Sequence, residues 1–156
     1  MYNIIADLHT HTIASTHAYS TVAEMVTSAK NKGLYAIAIT DHGKTMYGSP
    51  AEYYFDAMKF LPLMQDGVKV ISGQETNIID FSGTIDYNPN DEVNFVIASV
   101  HNIPIETLRN PSVEKCTYMY LNVAQNKHVN TIGHSGSELF KYDYEKVIPE
   151  LRKIIF

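Results

Sequence analysis

A second cysteine is missing from this chain of 156 residues, so no intrachain disulfide can form, and the lone Cys116 fits a reducing compartment. Cys116 falls in a predicted helix and reads as a small apolar packing residue, since nothing near it would activate a thiolate. No apolar run approaches the ~18 residues of a membrane span, and no signal-peptide pattern precedes the first strand. A cytoplasmic protein without membrane contact is expected. Basic charge is also scarce: 12 Lys and Arg stand against 17 Asp and Glu, a formal net charge of -5. That balance speaks against a nucleic-acid partner. Bound divalent cations would locally reverse its sign and could still draw a phosphate. There is no Gly-x-Ser-x-Gly elbow to build a triad on and no P-loop. Low-complexity tracts are absent, as is any repeat beyond an alternation of strands and helices.

What is present is one globular domain's worth of chain, 45% hydrophobic and 19% charged. Its organising stretch is the opening, Ile4-Ile5-Ala6-Asp7-Leu8-His9-Thr10-His11. The apolar run reads as a short buried strand that delivers two histidines at spacing i, i+2, hence on one face. Neutral imidazoles placed in that way are donors for Zn, Mn or Fe. Paired histidines at a strand end also occur as ordinary hydrogen-bonded polar residues.

A polar loop follows over residues 12–20. Thr21 and Glu24 have capping-box spacing ahead of a helix whose apolar face is Val22, Met25, Val26 and Ala29 and which ends at Gly33. A strand over 35–40 stops at Asp41-His42-Gly43. A helix is expected over 51–63 with Tyr54, Phe55 and Met58 on one face. A third strand over 68–73 leads into Gln74-Glu75. Residues 77–87 look like a small inserted hairpin with a structural job. A fourth strand over 95–100 ends at His101. After a loop with Pro104 and Pro111 come a helix over 112–127, a short strand over 130–133 ending at His134, and a last helix over 144–154. The alternation predicts a parallel α/β sheet of right-handed βαβ units, either a barrel or an open doubly wound sheet.

Of the seven histidines, His11, His42, His101 and His134 each follow an apolar strand, with His9 one side-chain period before His11. In a parallel β/α barrel those strand ends form a single rim, where residues distant in sequence meet. Each histidine taken alone could merely cap its strand, but separate structural roles would not all choose the same end. His128 follows a helix and reads as a surface residue. His17 lies in the first loop and could fold over the site. Asp7 and Asp41 stand beside the proposed ligands, as acceptors for an imidazole N–H or as additional ligands, the first being favoured. Lys44 is a weaker candidate for contact with phosphate.

His9-Thr10-His11 after Asp7, then Thr40-Asp41-His42-Gly43, Glu75, Ser99-Val100-His101 and Gly133-His134 together resemble the PHP superfamily, named after polymerase and histidinol phosphatase, and most closely its stand-alone phosphatase branch. The resemblance covers the whole chain, residues 1–156, as a single metal-binding domain. It implies a distorted, TIM-like β/α barrel of seven strands, with up to three divalent metal ions at the C-terminal rim, zinc or else manganese or iron. It further implies that His9, His11 and Glu75 hold one metal, that Glu75, His101 and His134 hold a second with Glu75 bridging, and that His17 and His42 hold a third. The family supplies two more ligands, an aspartate and a histidine two residues apart, from a later strand. This sequence stops before that strand, so a partial barrel of about five of seven βα units is expected, with the last units missing. The implied activity is hydrolysis of small phosphomonoesters by a metal-activated water, with Asp7 and Asp41 orienting ligand imidazoles. The rival readings are a metal-binding remnant without useful catalysis, which could form a homo-oligomer through an exposed sheet edge, and a nuclease or proofreading module.

Overall fold

The computed structural model describes residues 3–101 and 106–153. Pro104 and residues 154–156 lie outside the described residues. Strand β1 (Ala6–Thr10) is followed by α1 (Val22–Asn31), β2 (Ala36–Ile39), α2 (Tyr53–Ala57), β3 (Met64–Gln65), β4 (Val68–Asn77), β5 (Phe95–Ser99), α3 (Val113–Val123), β6 (Thr131–Ile132) and α4 (Tyr144–Leu151). The sheet order is β1-β2-β4-β5-β6, with β3 attached to β4. All pairs along that path are parallel. Because each new strand adds beyond the last without reversal, successive right-handed crossovers put their helices on one side and leave the other side concave. This is a partial β/α barrel; a doubly wound sheet would reverse its order midway.

The barrel's shear is visible in β4. Residues 69–72 pair with β2, whereas residues 73–77 pair with β5, so the sheet steps along its own longest strand. Gly73 sits at the step. A Cβ there would meet the Phe95 carbonyl oxygen at 2.9 Å and that of Ile39 at 3.2 Å, both backbone atoms that cannot turn aside. Gly73→Ala is therefore expected to cost about 1–3 kcal/mol, read as a lower urea midpoint at unchanged slope.

Two apolar clusters hold the helices to the convex side. Val26 and Ala29 of α1 pack with Ile37, Ile39, Val68 and Val70. Cys116, Met119, Tyr120 and Val123 of α3, with Val147 of α4, pack against Ala98. Cys116 is fully buried, as its reading as a packing residue requires. The capping box of α1 is formed, with Glu24 Oε2 accepting from the Thr21 amide at 2.7 Å, and Gly33 follows with φ +71.

Several expectations are corrected. The first strand is an edge, not a buried strand: Ile4 and Ile5 are 82% and 62% exposed, because nothing among the described residues pairs with β1 on its outer side. The helix expected over 51–63 shortens to α2 plus a 3₁₀ turn, Met58–Phe60, ahead of Pro62. The third strand runs on through Glu75 to Asn77. Strand β3 was not anticipated, although Asp66-Gly67, with φ 49 and 83, is a two-residue hairpin turn whose signal was in the sequence.

Candidate metal centre

The C-terminal ends of the parallel strands converge on one carboxylate. Glu75, fully buried near the end of β4, has an imidazole nitrogen within 3.3 Å from each of five histidines. On Oε1 are His9 Nε2 at 3.1 Å, His101 Nε2 at 3.3 Å and His134 Nε2 at 2.8 Å. On Oε2 are His11 Nε2 at 3.3 Å and His42 Nδ1 at 3.0 Å. His17 completes the rim, its ring centroid 4.8 Å from that of His42 and 5.5 Å from that of His11. All seven residues read as ligands from the sequence therefore meet at one place. His128 stands apart, its ring against Tyr87 at 5.4 Å. Lys44 is exposed on the loop after His42.

Each strand supplies its histidine for a local reason. Between His9 and His11, Thr10 is buried and locks β1 onto β2: its hydroxyl donates to the Ala38 carbonyl at 2.6 Å, and its amide donates to the Thr40 hydroxyl at 3.0 Å. The pairing of β1 with β2 slips between Asp7 and Thr10, so strict alternation fails there. His134 follows β6 with φ 25, turning back over the rim. Beside it, Gly133 lies against Ile97, Ser99 and Glu75, so that a Cβ at 133 would be 3.3 Å from Glu75 Oε1.

The chemistry of this donor set calls for a cation. Glu75 Oε2, His42 Nδ1 and His101 Nε2 are buried without a hydrogen-bond partner, and they face one another. Lone pairs of a carboxylate and neutral imidazoles at about 3 Å repel unless a proton or a metal lies between them. Two donors that each lie ~2.0–2.1 Å from a tetrahedral zinc are themselves about 3.3 Å apart, so the spacing here is that of a ligand cage. Three groups of side chains can each present three ligand atoms within 4.8 Å of one another: His11, His17 and His42; His9, Glu75 and His134; and His42, Glu75 and His101. These groups overlap one another and the sets expected from the resemblance: Glu75 stands with His9 and His134 in one and with His101 in another, and His17 and His42 stand together with His11.

Protonation follows from the same contacts. Burial opposes charge on Glu75, but the rings of His101, His11, His134 and His42 outweigh it and hold the carboxyl below the ordinary carboxylate range. For His42, burial pushes the ring below 6.5 despite the pull of Glu75. The contact with Glu75 raises His134 above 6.5, against a smaller opposing effect of burial. The contact with Glu75 thus favours a proton on His134 in the metal-free site. Metal must displace it, so apparent affinity should climb as pH rises through the elevated His134 value and fall below it. Calorimetric titration of zinc at pH 6 in buffers of different ionisation heat should show protons released on binding; binding without any release there would contradict this placement.

The two aspartates have other partners than expected. Asp41 is fully buried, but its hydrogen bonds come from the Thr12 amide (2.8 Å) and hydroxyl (2.8 Å), the Ser15 hydroxyl (2.6 Å) and the Tyr54 hydroxyl (2.7 Å), and none comes from an imidazole. Its reach to the histidines is indirect: Ser15 Oγ lies 3.5 Å from His11 Nδ1 and accepts from the His42 amide at 3.1 Å. Asp7 is exposed and accepts from the His9 amide at 3.4 Å rather than from a ring. Sequence reading missed Ser15, Tyr54, Asn77 and Asp86. Asn77 had a signal, standing two residues after Glu75 on the same strand and therefore on the same face. His101 Nδ1 lies 2.6 Å from its Oδ1.

A groove of about 550 Å³ opens on the concave side between β1 and β6 and reaches His9 and His134. An incomplete parallel barrel carrying a histidine–carboxylate cluster at its C-terminal rim defines a class of α/β proteins equipped to hold metal at that rim. Within it the family is definite: residues 7–155 match the PHP domain, and the chain belongs to that family. It is 44% identical over 147 residues to a probable phosphatase of Acetivibrio thermocellus, covering 92% of this chain and 59% of that protein. It is 41% identical to a probable phosphatase of Caldanaerobacter subterraneus subsp. tengcongensis, covering 93% of this chain and 57% of that one. The chain thus spans less than two thirds of the length of these relatives. Among solved structures it is similar to a histidinol phosphate phosphatase of Lactococcus lactis complexed with zinc, L-histidinol and phosphate, with a TM-score of 0.57 and 27% identity over 96% of this chain and 65% of that one. No helix among the described residues is long and apolar enough to cross a membrane.

Proposed function

We propose that this chain is the metal-binding part of a phosphoesterase that hydrolyses small phosphomonoesters, with His9, His11, His17, His42, Glu75, His101 and His134 as the metal-holding residues. The observation that carries this reading is the single buried carboxylate with five imidazole nitrogens within 3.3 Å, some of them orphaned. The names of its relatives support it. Divalent cations held there, zinc or else manganese or iron, would bind phosphate oxygens and bring the pKa of a water toward about 7. The chain's own residues would do the rest. Glu75, with an oxygen toward each ligand group, is the side chain able to bridge. The partly exposed His9 and His134, beside the groove, leave room for a substrate's phosphate to approach. Buried His42 and half-buried His101 anchor the inner side. Asp41 keeps the loop over residues 12–15 in place, so that His11 and His42 hold their orientation. A cytoplasmic setting belongs to this reading, and the single buried cysteine fits it.

The test is to strip the protein, reload it with zinc or manganese, and follow hydrolysis of an aryl phosphate across pH. Turnover that needs the metal and is lost in His101→Ala supports the reading. No turnover at any pH, with His101→Ala indistinguishable, overturns it. One feature favours a second reading, a metal-binding remnant without catalysis: both β1 and β6 are open edges among the described residues. Elemental analysis with size-exclusion chromatography separates the two. About two to three metals per chain with activity supports the enzyme, whereas one metal or none in a stable oligomer supports the remnant.

A further inference from the structure

We propose that Asp86 is a positioning residue of the metal centre: acting through Asn77, it fixes which ring nitrogen of His101 carries the proton and which faces the metal. The inference rests on His101 being one of the metal-holding residues, as proposed above. It gives the hairpin over residues 77–87 a part in the site that the sequence did not suggest.

The chain of contacts starts at an acceptor that cannot become a donor. The Asp86 carboxylate, 6% exposed, receives the Asn77 amide N–H on Oδ1 at 2.7 Å. Its Oδ2 receives the Thr45 amide N–H at 2.9 Å and the Thr45 hydroxyl at 2.7 Å. With backbone N–H groups on both oxygens, Asp86 is held as an acceptor. Asn77 must therefore turn its NH₂ toward Asp86, and it does so, Nδ2 to Oδ2 at 2.7 Å. The same NH₂ lies 3.4 Å from the Gly43 carbonyl, a second acceptor. Since both neighbours of the NH₂ only accept, the amide cannot flip without facing oxygen to oxygen.

The other end of that amide decides His101. With Nδ2 committed, Oδ1 faces His101 Nδ1 at 2.6 Å and can only accept, so Nδ1 carries the hydrogen. In the neutral ring Nε2 is then left with its lone pair, buried, without a hydrogen-bond partner and 3.3 Å from Glu75 Oε1. That is the state a metal needs. The opposite tautomer would put a hydrogen where the cation belongs. Space is reserved for this arrangement: Gly43, next to His42, has no Cβ, and one there would stand 2.6 Å from Asp86 Oδ1. The hairpin brings Asp86 to that spot, its amide donating to the Asn77 carbonyl at 3.0 Å.

The experiment compares Asp86→Ala with Thr45→Val. The second variant removes a hydroxyl donor from the same carboxylate but leaves the path from Asp86 through Asn77 to His101 intact. Nitrogen-15 shifts of the His101 ring in metal-free protein report which nitrogen is protonated, and zinc affinity is measured by competition with a chelating dye. In the wild type and in Thr45→Val the proton should sit on Nδ1. In Asp86→Ala the freed amide should let the two tautomers mix, and zinc affinity should fall by about 10–100-fold. The proposal is overturned if Asp86→Ala keeps the Nδ1 proton, or if its affinity loss is no larger than that of Thr45→Val. Should Asp86→Ala lose the fold, Asn77→Leu carries the test: it removes the acceptor that faces His101 Nδ1, so the tautomer preference should be lost, and a preference that survives refutes the idea. If the wild type bound no zinc, the functional reading would fail while the ring shifts still decided this one.

Discussion

Glu75→Gln is expected to lower the proposed metal-dependent phosphatase activity by on the order of 10³-fold or more, the scale on which removing one group that stabilises developing charge is felt. The substitution keeps shape and burial, so the loss would be electrostatic. Glutamine brings one oxygen where there were two, and an NH₂ toward a set of imidazoles that already contains its own donors. In the native chain both oxygens face ring nitrogens, Oε1 three of them and Oε2 two. Metal stoichiometry by elemental analysis should fall together with activity. A variant that kept its full metal content and lost less than tenfold in turnover would show that Glu75 does not bridge.

Asp41→Ala should produce the second large effect, on stability first and metal capture second. It strands the Thr12 amide and the hydroxyls of Thr12, Ser15 and Tyr54. With some of these recovering water, the cost is about 3 kcal/mol, or roughly 6–12 °C in Tm for a domain of this size. The Tyr54 hydroxyl is pushed up first by burial and then by the Asp41 charge, so it stays a donor at every working pH. Loosening residues 12–15 would also release Ser15 from His11 and from the His42 amide, which predicts weaker zinc binding by the group formed by His11, His17 and His42. If Asp41 acted only as a proton acceptor for a ligand ring, activity would drop while Tm stayed put. Thermal melts of the metal-free variant distinguish the two roles.

The partial barrel and the seven clustered residues were legible because both rest on period-2 patterning. An apolar run followed by a histidine marks a strand end, and parallel strands share one end. Less legible was anything set by contacts distant in sequence. Asp41 sits next to a ligand, so reading it as an imidazole acceptor was natural, yet its actual partners are 13 to 29 residues away. The edge character of β1 was hidden because exposure depends on which strands flank it, and the sequence Ile4-Ile5 carries no information about that. Asp86 offered no signal at all: an aspartate in a polar hairpin is ordinarily a turn residue, and only folding brings its carboxylate beneath Gly43.

The edge position of β1 has a thermodynamic corollary. Among the described residues, the strand that carries His9 and leads into His11 is hydrogen-bonded to β2 alone, while those two side chains reach across to Glu75 on β4. Its order and the capture of cations are therefore linked equilibria, each drawing on the free energy of the other. In the stripped protein the amides of residues 6–10 should exchange with deuterium among the fastest in the sheet. Loading should slow them far more than those of β5, whose backbone is flanked on both sides.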